Sequence, residues 1–327
     1  MRTGVLCLYV VAAGSWPAAA QIISPAARQT AACINFHADV VRQLKSGNLA
    51  EADAALSQAL AEPDSVLGET CVWMTLNNLA TVYAFSGRLA EAEALAVRAL
   101  KNLDKWYAPL DPIRFRPLQL LSSVQFEQGK RGNAREAFRV MRSLHIEQPQ
   151  ERAIVYGLEA VLLQADGRYQ DAEREYFRSI AAWKEAGRGE TMDAALVFNG
   201  LGTLYLQQER YRDADVTLGL ALAIANSAKD AVATDRIKIL QVRAVLYSRQ
   251  RKWRDAAEDL GSAISIADQD ARLDPPALKT MLSNHALVLR KASRKSEARS
   301  VEARAAAIRV PEWSKAIVDV TELRIKD

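Results

Sequence analysis

The sequence predicts an all-α fold, a solenoid of about seven helical hairpins, on three observations. Its vocabulary is that of helices, one short segment returns along the chain at near-constant spacing, and no compositional break marks a second domain in its body. The 327 residues hold only 15 Gly and 10 Pro and are dominated by Ala, Leu, Glu and Arg, which lose little conformational freedom in a helix. Half of the residues are hydrophobic, enough for a sizeable core. No stretch of the body approaches the roughly 20 apolar residues of a membrane-spanning helix.

The first twenty residues read differently. Arg2 precedes an apolar run from Val5 to Ala13, then Gly14-Ser15-Trp16-Pro17 and Ala18-Ala19-Ala20. A positive start, a short apolar centre and a small-residue site predict a signal peptide over 1–20, cleaved after Ala20 to leave Gln21 as the new terminus. The alternative is an uncleaved anchor, for which the apolar run is short. The chain is therefore expected to be exported, periplasmic or secreted, with no membrane span after cleavage. The 43 basic and 39 acidic residues leave a net charge of +4, a balance that does not call for nucleic acid.

The recurring segments are Gly47-Asn-Leu-Ala-Glu-Ala52, Gly87-Arg-Leu-Ala-Glu-Ala92, Gly132-Asn-Ala-Arg-Glu-Ala137, Gly167-Arg-Tyr-Gln-Asp-Ala172, Glu209-Arg-Tyr-Arg-Asp-Ala214, Arg251-Lys-Trp-Arg-Asp-Ala256 and Ser293-Arg-Lys-Ser-Glu-Ala298. Their alanines are separated by 40, 45, 35, 42, 42 and 42 residues. Periods of this size mark stacked supersecondary units. Gly at the first position supplies the positive φ that ends one helix, and the acid favours the first turn of the next. Twelve residues earlier stand Ala80, Gly202, Ala244 and Ala286, small enough for two helices to approach. Tyr83, Tyr205 and Tyr247 follow three residues later on the same face. The third repeat departs most, with Gln125 at the small-residue position and Pro109, Pro112 and Pro117 around its first helix.

Leu76-Asn-Asn-Leu-Ala-Thr-Val-Tyr-Ala-Phe-Ser-Gly-Arg-Leu-Ala-Glu-Ala-Glu-Ala-Leu-Ala-Val-Arg-Ala-Leu100 closely resembles a tetratricopeptide repeat, in the longer-helix variety of kinesin light chains and many bacterial relatives. The resemblance implies a right-handed α-solenoid over 21–309. Its first helices are expected near 30–45, 69–86, 114–129, 151–165, 191–208, 233–249 and 276–291. Second helices are expected near 49–61, 89–105, 134–146, 169–186, 211–227, 253–268 and 295–308. Asp111-Pro112, Pro149 and Asp274-Pro275-Pro276 break the chain between hairpins. Residues 310–327 carry no repeat and are expected to form a polar cap or a tail.

In such a fold the first helices line the concave face. The resemblance assigns peptide binding to the Asn of Leu-Asn-Asn-Leu-Ala, because an amide both donates to and accepts from a peptide backbone. Asn78 and Asn284 occupy that position, and Asn199 aligns with Asn77. Thr81, Thr203, Gln207, Lys238, Gln241, Arg249, Arg290 and Lys291 join them by register. The other reading is that these asparagines are solvated or cap a neighbouring helix. Arg249, Arg251, Lys252, Arg254, Arg290, Lys291, Arg294 and Lys295 gather at the late turns, where an anionic ligand could dock, but Asp255, Glu258, Asp259 and Glu297 interleave with them.

Three cysteines are present, and Cys7 leaves with the signal. Cys33 and Cys71 fall near the starts of adjacent first helices, either as a disulfide or as two buried thiols. His37, His145 and His285 are isolated along the chain. There is no HExxH, no spaced Cys/His ligand set, no phosphate loop and no GxSxG elbow. Sequence alone thus points to an exported scaffold that binds a protein or peptide, with no enzyme activity, cofactor or metal expected. An anionic-ligand or nucleic-acid binder and an enzyme built on the solenoid are the alternatives.

Overall fold

The computed structural model describes residues 25–46, 48–61, 71–229, 231–269 and 275–308. The signal segment, Gly47, Asp274 and the 310–327 tail lie outside the described residues. The described chain forms fourteen α-helices in seven consecutive pairs, and no strand occurs among the described residues. The pairs are α1 (Pro25–Ser46) with α2 (Leu49–Ala61), α3 (Val72–Phe85) with α4 (Leu89–Leu103), α5 (Phe115–Glu127) with α6 (Arg131–Ser143) and α7 (Pro149–Ala165) with α8 (Tyr169–Glu185). They continue with α9 (Met192–Gln207) and α10 (Tyr211–Ser227), α11 (Ala233–Arg249) and α12 (Trp253–Gln269), and α13 (Pro275–Lys291) and α14 (Lys295–Ala307). None of these helices is long and apolar enough to cross a membrane. The described residues divide into two compact units, with the division inside α7 between Glu159 and Ala160.

One turn chemistry makes six of the hairpins. The first helix ends in a residue with positive φ: Gly87, Gly129, Gly167, Glu209, Arg251 or Ser293. The next residue is basic, and its backbone N–H reaches back to a carbonyl five residues earlier, as in Arg88 to Tyr83 at 2.8 Å and Arg210 to Tyr205 at 2.9 Å. This is the bond that closes a helix C-terminus when the chain passes through the left-handed region. The basic residue's own carbonyl then accepts the N–H of the reference alanine, opening the second helix (Ala92 to Arg88, 3.0 Å; Ala214 to Arg210, 3.0 Å). Its side chain pairs with the acid three positions on, as in Arg88–Glu91, Arg168–Asp171, Arg210–Asp213 and Arg294–Glu297. Three of the six turn residues are not glycine, so the turn survives the backbone strain of a Cβ there.

That bonding pattern corrects the register of the third hairpin. Its left-handed residue is Gly129, not Gly132, which lies inside α6. Lys130 takes the basic place, and it is Ala134, fully buried, whose N–H bonds the Lys130 carbonyl at 3.0 Å. Ala134 is therefore the counterpart of Ala92, and the small residue twelve positions before it is Ser122, whose hydroxyl donates to the Ala134 carbonyl at 2.9 Å. Gln125 is not at the small-residue position; it occupies the place of Tyr83 and Tyr205.

In the N-terminal unit α2 packs on α3 and α4 on α5, while α3 also neighbours the first helices on either side, α1 and α5. One apolar core runs from Val40 on α1 to Ala137 on α6. Polar side chains staple successive hairpins above it. Arg88 lies 3.6 Å from Asp53 of the preceding second helix, and Lys130 lies 2.5 Å from Glu93. Gln125 also donates to Glu93 at 3.0 Å. Between α4 and α5 Asp111 accepts from the Ile113 N–H in a short 3₁₀ turn, and buried Arg114 donates to Asp104 and to the carbonyls of Tyr107 and Ala108.

The C-terminal unit repeats the device. Tyr205 donates its hydroxyl to Glu173 at 2.7 Å, and Arg210 reaches the same carboxylate at 3.0 Å while its guanidinium lies 4.2 Å from the Tyr205 ring. Burial first, then Glu173, pushes the Tyr205 phenol above its ordinary range, so it remains a donor. Close approach of α9 and α10 depends on Gly202, where an added Cβ would meet Leu218 at 2.6 Å.

Candidate interaction surface and the N-terminal polar cluster

Every first helix of an all-α repeat must spend one face on its neighbours, and only the remaining side chains can serve a ligand. Fifteen residues before the reference alanines stand mostly polar, mostly amide residues: His37, Asn77, Gln119 and Gly157 in the N-terminal unit, and Asn199, Gln241 and Ser283 in the C-terminal unit. Asn77 on α3 and Asn199 on α9 are half-buried, and the side-chain carbonyl oxygen of each is enclosed without a hydrogen-bond partner. A buried acceptor without a donor costs about 1–3 kcal/mol. Gln241 is half-buried on α11, whereas Gln119 is buried and accepts from Arg116 at 3.3 Å.

The other expected contact residues fare differently. Thr81 and Thr203 are buried, and their hydroxyls donate to the Asn77 and Asn199 carbonyls at 2.9 and 2.8 Å, so they serve their own helices instead of a ligand. Asn78 donates its amide to His37 Nδ1 at 2.9 Å. Gln207 is exposed and accepts from Gln164, Lys238 is tied to Asp235, and Arg290 is held by two bonds of 2.6 Å to Glu302. Asn284 is half-buried, while Arg249 and Lys291 are exposed. On the basic edge Arg294 is likewise held by Glu297, and Lys252 lies over the Tyr247 ring at 5.5 Å. Arg290 and Arg294 are thereby neutralised by carboxylates of their own hairpin.

Sequence reading also missed exposed apolar side chains in each unit. Val97 on α4, Phe177 on α8, and Val216 and Leu220 on α10 are exposed apolar side chains of second helices. Their signal was present as apolar residues off the helix's buried stripe.

At the N-terminal end, folding gathers residues that are isolated along the chain. Cys33 and Cys71 are joined as a disulfide with their Cα atoms 6.2 Å apart, inside the range such a bridge requires. His37 stands one turn after Cys33 on α1, and its Nε2 lies 3.3 Å from Cys71 Sγ and 3.3 Å from Thr75 Oγ1. The ligand atoms of Cys33, His37 and Cys71 all lie within 4.8 Å of one another, and all three residues are buried. Burial pushes the His37 imidazole down to about 4, so it is neutral at neutral pH. His37 is thus not isolated in the fold.

Two tetratricopeptide-repeat family models match the chain, one over residues 151–227 and one over 74–101. No curated protein sequence matches it. Among solved structures, BtubC (BKLC) from P. vanneervenii is 20% identical, with a TM-score of 0.53 over 71% of this chain and 90% of that one. A chain of the APC/C hetero-tetramer Cut9-Hcn1 is 14% identical with a TM-score of 0.54, covering 84% of this chain and 42% of that one. A STAND signal-transduction ATPase with a tetratricopeptide repeat sensor, from Pyrococcus horikoshii, is 15% identical with a TM-score of 0.57, covering 86% and 44%. The chain thus spans less than half the length of the latter two. Likeness at these identities is likeness of fold.

Proposed function

We propose that this chain, a tetratricopeptide-repeat protein, is an exported scaffold that binds an extended peptide segment of a protein partner along its first helices and performs no chemistry. The observation that carries the reading is the recurrence of a half-buried asparagine, Asn77 in one unit and Asn199 in the other, at one register position of a first helix. A side-chain amide both donates to and accepts from a peptide backbone, and half-buried Gln241 adds a second amide at that register in the C-terminal unit. Export is supported by the pattern of residues 1–20 and by a disulfide suited to an oxidising compartment. The absence of chemistry is supported by the fate of the charged groups, since Arg243, Arg290 and Arg294 are each bound by a carboxylate of the repeat itself. Two of those pairs, at Arg290 and Arg294, lie on the late basic edge and count against an anionic ligand or nucleic acid there.

The test compares the chain beginning at Gln21 with its Asn199→Ala/Gln241→Ala variant as baits for envelope and secreted fractions. Partners retained by the first and lost from the second, with circular dichroism and melting unchanged, support the reading. Equal retention by both baits refutes the amide column. Recovery of the chain in the cytoplasm with its residue 1–20 segment intact refutes export.

A further inference from the structure

We propose that, when its thiols are reduced, the Cys33–His37–Cys71 cluster binds one zinc ion that replaces the disulfide as the tie between α1 and α3. Three features carry this. First, the donors form a set of two sulfurs and one imidazole nitrogen, the soft and borderline ligands that zinc takes, and their atoms already lie within 4.8 Å of one another. Second, the two Cα atoms at 6.2 Å need no helix movement for their sulfurs to separate from bonding distance to a shared metal. Third, a polar shell surrounds the histidine: Asn78 at 2.9 Å from Nδ1 and Thr75 at 3.3 Å from Nε2.

That shell suits both states. In the disulfide form Asn78 donates to Nδ1, which places the proton on Nε2, where Thr75 Oγ1 accepts it; the Thr75 hydroxyl proton is already directed to the Cys71 carbonyl at 3.2 Å. A metal on Nε2 requires the proton on Nδ1, and rotation of the Asn78 amide by half a turn presents its oxygen to that proton. Such a partner fixes the tautomer of a zinc-binding histidine. Charge selects the ion. Two thiolates and a neutral imidazole carry two negative charges, which a divalent cation cancels, whereas a monovalent cation would leave a buried net charge.

The chemistry balances in two steps. A dithiol reductant transfers two electrons and two protons to the Cys33–Cys71 bond and is left as a disulfide. The two thiols then lose their protons to solvent as the two sulfur–zinc bonds form. Oxidation and metal binding are therefore mutually exclusive.

The chain is reduced, freed of reductant without air and titrated with Co²⁺ as an optical probe, then with Zn²⁺. The expected result is one Co²⁺ per chain with thiolate-to-cobalt charge-transfer absorption, displaced by Zn²⁺, and no binding by the oxidised chain. Cys33→Ser and Cys71→Ser should each abolish that absorption. Asn78→Leu keeps all three ligands and should weaken binding by about 10–100-fold, which a merely structural Asn78 would not do. The proposal is overturned if the reduced, helical chain shows no charge-transfer band, if it takes only Cu⁺, or if one-to-one binding survives Cys71→Ser.

Discussion

Gly202 and Gly219 lie in paired helices of one hairpin, yet the structure assigns opposite signs to the same substitution. An interior helical glycine costs about 0.8–1 kcal/mol relative to alanine. At Gly219 on α10 an added Cβ meets nothing within 4 Å, so Gly219→Ala should recover that amount in full. At Gly202 on α9 the added Cβ would sit 2.6 Å from Leu218 Cγ and 2.7 Å from its Cδ2, and Leu218 has no exposed surface through which to retreat. Overpacking of this kind costs about 1–3 kcal/mol, which cancels or outweighs the helix-propensity gain. The two variants should therefore differ by about 1–3 kcal/mol, a separation on the order of 1 M in urea midpoint for ordinary urea slopes. Urea titrations followed by far-UV circular dichroism measure it. Adding Leu218→Ala to Gly202→Ala removes the clash, so the double variant should be less destabilised than the two single effects combined. If Gly202→Ala raises the midpoint as much as Gly219→Ala, α9 and α10 are not in the close contact described, and the reasoning fails.

Glu209, Arg251 and Ser293 have φ of 59°, 57° and 64°, so replacing any of them by Gly should stabilise the C-terminal unit by about 1 kcal/mol, while Gly167→Ala should cost about as much; thermal unfolding reads both. Tyr205→Phe removes a bond to a carboxylate and should cost about 1.5–3 kcal/mol. That loss should not vary from neutral to mildly alkaline pH, because the phenol's proton is held well beyond that range. A loss that fades as pH rises would show that Tyr205 ionises and that the Glu173 contact is weak.

What was legible in the sequence is what depends on periodicity. Reference alanines at 92, 172, 214, 256 and 298 are wholly buried, because a repeated helix contact demands the same small side chain each time. The side-chain chemistry of the first-helix face was less legible. Thr81 and Thr203 share the register of a ligand-facing column, but a Thr hydroxyl can satisfy itself on the carbonyl four residues earlier, and both do. The N-terminal cluster was least legible of all. His37 meets Cys71, Thr75 and Asn78 across 34 to 41 residues of chain, a proximity set by how α1 lies on α3 and invisible to any local motif.

The third hairpin shows how a repeat can mislead and offers a direct check. Gly132 and Ala137 reproduce the Gly-x-x-x-x-Ala spacing of Gly87 and Ala92, and that spacing sets the reference alanine three residues too late. Backbone bonding decides otherwise: the positive φ is at Gly129, the turn bond runs from Lys130 to Gln125 at 2.8 Å, and the helix opens on the Ala134 N–H. The two registers place the tight helix contact at different residues. In the sequence register it lies at Ala137 opposite Gln125; in the structure it lies at Ala134, against Ser122. Ala137 instead borders an open surface groove with Leu121, Asn133 and Val140. Ala137 is buried but borders that groove, so the side chain of Ala137→Leu has space to one side and should cost less than Ala134→Leu. Ala134→Leu forces three extra carbons between α5 and α6 where the Ser122 hydroxyl bonds the backbone at 2.9 Å, and should cost about 1–3 kcal/mol or more. Denaturant midpoints of the two variants distinguish the registers, and a larger loss at Ala137 than at Ala134 would restore the one read from the repeat.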